Sequence, residues 1–168
     1  YRYFVDIPAQ TTVIGAALAD TLPANLALDP APPAPVVSPS LTFYPNAESA
    51  TTASVPAGVS FDSATGTVDF TGGATPGEYR NITATDQRFE VLLTARVTAS
   101  GLLSEEEPSR VNTVRFRSLD ATLSPLPVVS DTATVDIRQP LPNIDKVSDV
   151  PAGDVVTGYR GTPVLIQQ

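Results

Sequence analysis

Four segments of the chain alternate between apolar and polar residues, which is the pattern of a β-strand with one buried face and one solvated face. They cover residues 1–7, 88–98, 111–118 and 131–138 and read YRYFVDI, RFEVLLTARVT, VNTVRFRS and DTATVDIR. Weaker alternation predicts further strands within residues 11–19, 41–44, 66–70 and 78–84. No window has the period of an amphipathic helix. Many short strands separated by Gly and Pro therefore predict an all-β sandwich.

The phase of this alternation predicts the residues of the core. Side chains two positions apart in a strand share one face. We expect eight apolar side chains to be buried on this ground: Val5, Ile7, Phe89, Val91, Leu93, Val97, Val114 and Phe116.

The two ends of the chain are similar to each other. Residues 6–15 read DIPAQTTVIG, and residues 149–158 read DVPAGDVVTG. Similarity at a long fixed spacing is typical of repeat arrays. We therefore expect one unit of a head-to-tail series, which begins inside one repeat and ends inside the next. Such a unit needs a segment from a neighbour to complete its fold.

The alternating pattern ends after Arg138, where the prolines of QPLPN predict an extended linker. We expect a sandwich over residues 1–138 and a linker with a donated strand segment over residues 139–168. The tail has too little apolar material to fold alone, so its strand-like stretches are expected to pair with a neighbouring unit. The residues assigned to this inter-subunit contact are Ile144, Lys146, Val147, Val150, Val155, Val156, Val164 and Ile166.

Composition narrows the possible functions. The chain has no Cys and no His, which removes thiol chemistry and the commonest general base and metal ligand. Its net charge of −8 makes nucleic acid an improbable partner. No stretch is long and apolar enough to span a membrane, and no signal peptide is visible. We expect no enzyme activity, no cofactor and no metal, and an extracellular location at a cell surface.

The string DTLPANL at residues 20–26 resembles the Asp-Thr-Leu-Pro-Ala-Gly-Leu signature of repeats in very large prokaryotic surface proteins. That family is catalogued as the eleventh domain of unknown function and overlaps with isopeptide-forming fimbrial repeats. FDSATGTVDF, DQRFEVLLTARV and VNTVRFRS are similar to later strands of the repeat, in the same order. The resemblance implies an immunoglobulin-like sandwich with a structural or adhesive role. In the family a lysine-bearing strand precedes the strand matched by YRYFVDI, and here its equivalent lies near residues 144–148.

Three residues are candidates for an autocatalytic isopeptide bond of the kind that the fimbrial family forms. Lys146 is the single lysine of the chain, and Asn112 and Asp131 lie on predicted inward faces. Burial lowers the pKa of an amine and raises the pKa of an acid, so a buried lysine can attack a neighbouring carbonyl. The alternatives are an exposed lysine and an asparagine that caps a turn. Asp20 is expected to shape the turn before Pro23.

Asn81 begins an Asn-Ile-Thr sequon and is a candidate for glycosylation.

Two functions remain open for the whole chain. The first is a structural subunit of an extracellular filament or stalk, a homopolymer assembled head-to-tail by strand donation. The second is an adhesin-type module that recognises a glycan or a protein through its loops.

Overall fold

A computed structural model describes residues 1–72, 77–98 and 109–136. Within these ranges all extended regular elements are β-strands, and no helix occurs. The strands in chain order are β1 (Arg2–Ile7), β2 (Thr11–Thr21), β3 (Leu26–Leu28), β4 (Ser40–Tyr44), β5 (Ser60–Asp62), β6 (Thr67–Asp69), β7 (Glu78–Asn81), β8 (Gln87–Leu92), β9 (Ala95–Val97), β10 (Ser109–Leu119) and β11 (Val129–Asp136). The predicted all-β class is confirmed.

The described strands form two antiparallel sheets and a short ribbon. The narrow sheet has the order β1-β8-β4. The wide sheet has the order β11-β10-β2-β6-β5, with β7 also paired to β2. The ribbon consists of β3 and β9. The two sheets pack face to face. β1 is an edge strand of the narrow sheet, and β11 is an edge strand of the wide sheet.

The sheets are joined by a cluster of aromatic rings. Phe89 on the narrow sheet is fully buried. Its ring lies 5.1 Å from that of Phe70, which directly follows β6, and 5.6 Å from that of Tyr79 on β7, so both contacts reach the wide sheet. Both contacts are edge-to-face, the orientation that the ring quadrupole favours. Phe43 stacks on Phe89 from the neighbouring strand at 4.9 Å. Phe116 on β10 reaches the same cluster through Phe70.

A bulge at Gly15 lets β2 pair with two strands in succession. Thr11–Ile14 pair with β7, whereas Ala17 and Leu18 pair with β6. Gly15 lies between these stretches with a φ of 53°, a conformation that glycine adopts at little cost. Its amide donates to the carbonyl of Gly77 at 2.7 Å.

The predicted core is confirmed at its centre. Ile7, Phe89, Val91 and Leu93 are buried. Val5, Val114 and Phe116 are half-buried and pack against the same cluster.

Val97 was expected to be buried, and this expectation is wrong because its side chain is 52% exposed. The alternating segment 88–98 is two strands instead of one. β8 ends at Leu92 in the narrow sheet, and β9 pairs with β3 in the ribbon. The apolar positions of β9 therefore do not continue the face of Phe89.

Two turns lie at the Pro-Ala pairs of residues 23–24 and 56–57. Leu26 N donates to Pro23 O and Val59 N donates to Pro56 O, at 3.3 and 3.2 Å. The residue after each Pro-Ala pair, Asn25 or Gly58, has a positive φ. Each turn leads directly into a short strand, β3 or β5.

Phe89→Ala is expected to lower the free energy of unfolding by about 3–5 kcal/mol, because it empties the centre of the aromatic cluster. Val97→Ala is the matched control, and its effect should stay within about 0.5 kcal/mol, as at other exposed positions. Urea denaturation followed by circular dichroism measures both. Equal losses for the two variants would contradict the assignment of the core.

Candidate functional site

The outer edge of β1 has no strand beside it in the described part of the chain. Tyr1 and Leu93 exchange both of their backbone hydrogen bonds, each 2.8 Å long. In an antiparallel ladder these close pairs alternate with open ones. The backbone N–H and C=O groups of Arg2, Phe4 and Asp6 therefore point away from β8. They form a row of donors and acceptors available to another strand.

Within the residues that the structure describes, no other segment covers the inner face of β11. Asn112, Val114 and Phe116 on β10 lie opposite Ala133, Asp131 and Val129 on β11, and residues directly opposite in a ladder share a face. That face points towards the narrow sheet, since Asn112 is buried. Even so, all eight residues of β11 are exposed, because the narrow sheet ends at β1.

The space beside β1 and above β11 is a groove, which we call the strand groove. Its wider part has a volume of about 380 Å³, and the residues along it are Phe4, Val5, Asp6, Leu18, Val114, Phe116, Val129, Ser130 and Asp131. A narrower part of about 70 Å³ continues past Tyr1, Arg2, Tyr3, Asn112, Asp131, Thr132 and Ala133. The groove corresponds to the position of a fourth strand in the narrow sheet.

A buried polar pair lies at the narrow end of the groove. Asn112 is 3% exposed, and its Nδ2 donates to Asp20 Oδ1 at 2.7 Å. Asp20 lies near the end of β2, opposite Val114. The expectation that Asp20 shapes the turn before Pro23 is thus revised, because its main side-chain partner is 92 residues away in sequence. The alternation of Ala16, Leu18 and Asp20 was the sequence signal for its inward position.

Three oxygen atoms around this pair are buried and have no hydrogen-bond partner among the described residues: Asn112 Oδ1, Asp20 Oδ2 and Tyr1 Oη. A buried polar atom without a partner costs about 1–3 kcal/mol, so native structures rarely leave one. Burial raises the pKa of the Asp20 carboxyl, and the hydrogen bond from Asn112 partly opposes this. Burial also raises the pKa of the Tyr3 hydroxyl, with a smaller contribution from the charge of Asp20.

The predicted isopeptide residues divide between the described and undescribed parts of the chain. Asn112 has a carboxyl neighbour whose pKa is raised, which is the setting that favours attack by an amine on its side-chain carbonyl. Asp131 lies on the same face but opposite Val114, and its Oδ1 accepts from the Thr132 amide. Lys146 and the other predicted tail residues lie outside the described residues. The crosslink therefore stays a prediction, with Asn112 the better-placed acceptor.

Asn81 is a structural residue in this fold. Its side chain is 1% exposed, and its Nδ2 donates to the carbonyls of Ile7, Pro8 and Thr85. Its Oδ1 accepts from the amide and the hydroxyl of Thr83. In the folded chain Asn81 thus holds the turn after β7, and its glycosylation stays a prediction.

A second hollow, of about 430 Å³, lies at the far end of the narrow sheet. Asp6, Asn46, Glu48, Asp86 and Arg88 are among the residues around it. Arg88 pairs with Asp6 through two hydrogen bonds of 2.8 and 2.7 Å. No group of three metal-ligating side chains occurs among the described residues. No helix in those ranges is long and apolar enough to cross a membrane.

Comparison with known proteins gives a limited result. No protein-family model matches the sequence, and no curated protein matches it. Among solved structures, the collagen-binding subdomain ACE19 of the Enterococcus faecalis surface protein ACE is 14% identical, with a TM-score of 0.46. The collagen-binding domain of a Staphylococcus aureus adhesin is 13% identical, with a TM-score of 0.40. Each comparison covers 80% of this chain and 86% of the other. Likeness at this level assigns no ligand to this chain.

Asp20→Asn is expected to stabilise a chain that ends at Arg138 at neutral pH. A carboxyl whose folded-state pKa is raised above its ordinary value of 3.8 favours the folded state below that pH. This contribution is lost as the pH rises through the folded-state pKa. The variant should therefore melt at a higher temperature at about pH 7, and the difference should shrink towards about pH 3. Asp131→Asn is the control, and an equal pH-dependent gain there would contradict the assignment.

An isopeptide bond between Lys146 and Asn112 would join the lysine nitrogen to the asparagine side-chain carbonyl and release one ammonia. Crosslinked material should resist boiling in detergent and should weigh one ammonia less per bond. Lys146→Ala should remove both signs. Denaturing electrophoresis with intact-mass spectrometry checks this, and unmodified monomer as the sole species would exclude the bond.

Proposed function

We propose that this chain is a module of an extracellular surface structure and that it binds an extended segment in the strand groove. The segment is the tail, residues 139–168, of another copy. Repeated binding of this kind builds a filament or stalk. The observation that carries the proposal is the free edge of β1 above the uncovered inner face of β11.

The groove has the two properties that recognise a β-strand. The backbone groups of Arg2, Phe4 and Asp6 can continue the hydrogen-bond ladder of the narrow sheet, as in β-augmentation. The floor presents side chains from Val114, Phe116 and Val129, which an incoming strand can cover with every second residue. Backbone pairing supplies affinity, and the alternating side chains supply selectivity.

The tail fits as the occupant because of its position and its composition. It follows β11 directly in the chain, and its apolar residues include Ile144, Val147 and Val150. Pro140 and Pro142 favour an extended linker between β11 and this segment. A tail that enters the groove of a second copy makes a contact between two different surfaces, so repetition gives an open chain of units.

An adhesin-type module is the second candidate, and the polar hollow around Asp6, Glu48 and Asp86 is the feature that favours it. The two solved structures above are binding domains of surface proteins, which is the class of this candidate. Recognition there would use loop residues such as Asn46 and Asp86. It would not require the strand groove.

Two variants that each lack one half of the contact test the proposal. Val129→Arg fills the groove at an exposed position, so this chain can donate its tail but cannot accept one. A chain that ends at Arg138 can accept but cannot donate. We expect the unmodified chain to form a series of oligomers, each variant alone to stay monomeric, and an equimolar mixture to form heterodimers. Size-exclusion chromatography with light scattering measures the masses.

Val111→Arg is the matched control, because Val111 is an exposed valine on the outer face of β10. It should oligomerise like the unmodified chain. Monomers of the unmodified chain at all concentrations would contradict assembly by tail exchange. Monomers together with a tail that melts as part of the sandwich would indicate that the tail closes its own groove.

A further inference from the structure

The floor of the strand groove changes from apolar to polar along its length. Three residue pairs on β10 and β11 face the groove one after another, and we call them the wide, middle and narrow levels: Phe116 with Val129, Val114 with Asp131, and Asn112 with Ala133. A strand in the groove places every second side chain on this floor, at steps of about 6.6 Å, so that one side chain reaches each level. The occupant should therefore present large apolar side chains on the wide and middle levels and a small polar one on the narrow level.

The outer rim of the groove carries an exposed aromatic ring. Phe4 borders the wider part, is 47% exposed and has the guanidinium groups of Arg2 and Arg88 beside its ring. The backbone groups of Phe4 point towards the groove, so one residue of an incoming strand lies directly opposite, and its side chain reaches the ring. The groove thus contacts both faces of the strand, the inner face on the floor and the outer face at Phe4.

We propose that residues 162–167 are the part of the tail that occupies the strand groove, parallel to β1 and with Leu165 opposite Phe4. This inference rests on the proposed function, which requires the tail but names no segment within it. In the tail, three large apolar side chains follow each other only at Val164, Leu165 and Ile166. Such a run is apolar on both faces of a strand, as the floor and Phe4 together require.

The segment matches the floor level by level. With Leu165 opposite Phe4, Ile166 lies on the wide level and Val164 on the middle level. Thr162 is small and polar and lies on the narrow level, where the groove has a volume of about 70 Å³, against about 380 Å³ in its wider part.

Pro163 favours the parallel direction. In a parallel pair, each edge-facing residue of one strand bonds to the two neighbours of the residue opposite it. Arg2 lies opposite Pro163 and bonds to Thr162 and Val164, so the missing N–H of proline costs no hydrogen bond. In the antiparallel direction with the same central contact, Pro163 would lie opposite Asp6 and would itself have to donate.

The other strand-like part of the tail, residues 144–150, matches the floor but not the rim. When this segment fills the groove with Ile144 or Val150 on the wide level, an aspartate lies opposite Phe4. The guanidinium groups beside the ring are already in ion pairs with other carboxylates, so they offer little to this aspartate.

Cysteine pairs test the segment and its direction in the full chain, which has no cysteine of its own. Asp6→Cys with Gln167→Cys, the first pair, joins residues that the proposed register places opposite each other. Neighbouring strands lie about 4.8 Å apart, a distance that a disulfide spans. With oxidised glutathione as the oxidant, we expect this pair to form a disulfide with the loss of two hydrogen atoms.

Two matched pairs test the alternatives. Arg2→Cys with Gln167→Cys, the second pair, forms a disulfide if residues 162–167 run antiparallel to β1. Arg2→Cys with Val147→Cys, the third pair, forms one if residues 144–150 fill the groove. Both should stay reduced. Peptide mapping identifies the linked residues, and circular dichroism confirms that each variant is folded.

Phe4→Ala removes the outer contact and should raise the concentration at which the oligomers half-dissociate by about fivefold, as the loss of a strong cross-strand pair does. Leu165→Ala should have the same effect, and the two changes together should cost no more than one of them, because they remove the same contact. Ile82→Ala is the matched control and should change nothing, since Ile82 is exposed and borders neither part of the groove. Additive losses would contradict a contact between Leu165 and Phe4.

The outcomes separate this inference from the proposed assembly. A disulfide in the first pair between two copies supports both. The same disulfide within one chain supports the segment and contradicts assembly between copies. A disulfide in the third pair alone would overturn the segment and leave tail exchange standing, and one in the second pair alone would overturn the direction. Oligomers without a disulfide in any pair, or equal yields in all three, would also overturn the inference.

Discussion

A β-strand that is covered on neither face gains little from the hydrophobic effect, and β11 is such a strand within the described part of the chain. It is held by its ladder to β10, over eight residue pairs. β11 is uncovered because the described narrow sheet has only three strands, so the wide sheet extends beyond it. The free edge of β1, the open groove and the exposed valine at 129 all follow from this difference. A strand placed beside β1 would cover β11 and complete the narrow sheet at once.

The local pattern of the sequence predicted most of the strands but not their partners. The phase of β1 and β8 was readable because one face of each meets the aromatic cluster. The boundary between β8 and β9 could not be predicted from the sequence, since Leu93 and Val97 are both apolar and both continue the alternation that starts at Phe89. What separates them is the pairing of β9 with β3, a contact between segments about 70 residues apart. The strands β3 and β5 are three residues long, too short to show a period.

The sequence identified one residue of the buried polar pair but not its partner. Asn112 was identified because it is a polar residue at an inward position of an otherwise apolar face. Its partner Asp20 was assigned to a turn, although it continues the inward phase of Ala16 and Leu18. Register between β2 and β10 decides that the two side chains meet, and no local pattern encodes that register. Asn81 illustrates the converse, since the residues of a glycosylation triplet form a turn in which the side-chain amide of Asn81 binds three carbonyls.

The scarcity of lysine has a consequence for the outer face of the narrow sheet. The chain carries nine arginines and one lysine, so almost every basic side chain is a guanidinium. A guanidinium is planar and presents its donors as a fork, so Arg88 meets both carboxylate oxygens of Asp6, at 2.8 and 2.7 Å. The guanidinium groups of Arg2 and Arg88 also lie 5.1 and 5.0 Å from the centre of the Phe4 ring. A flat cation can therefore pair with a carboxylate and stack on an exposed ring at the same time, which a lysine ammonium could not do in this geometry.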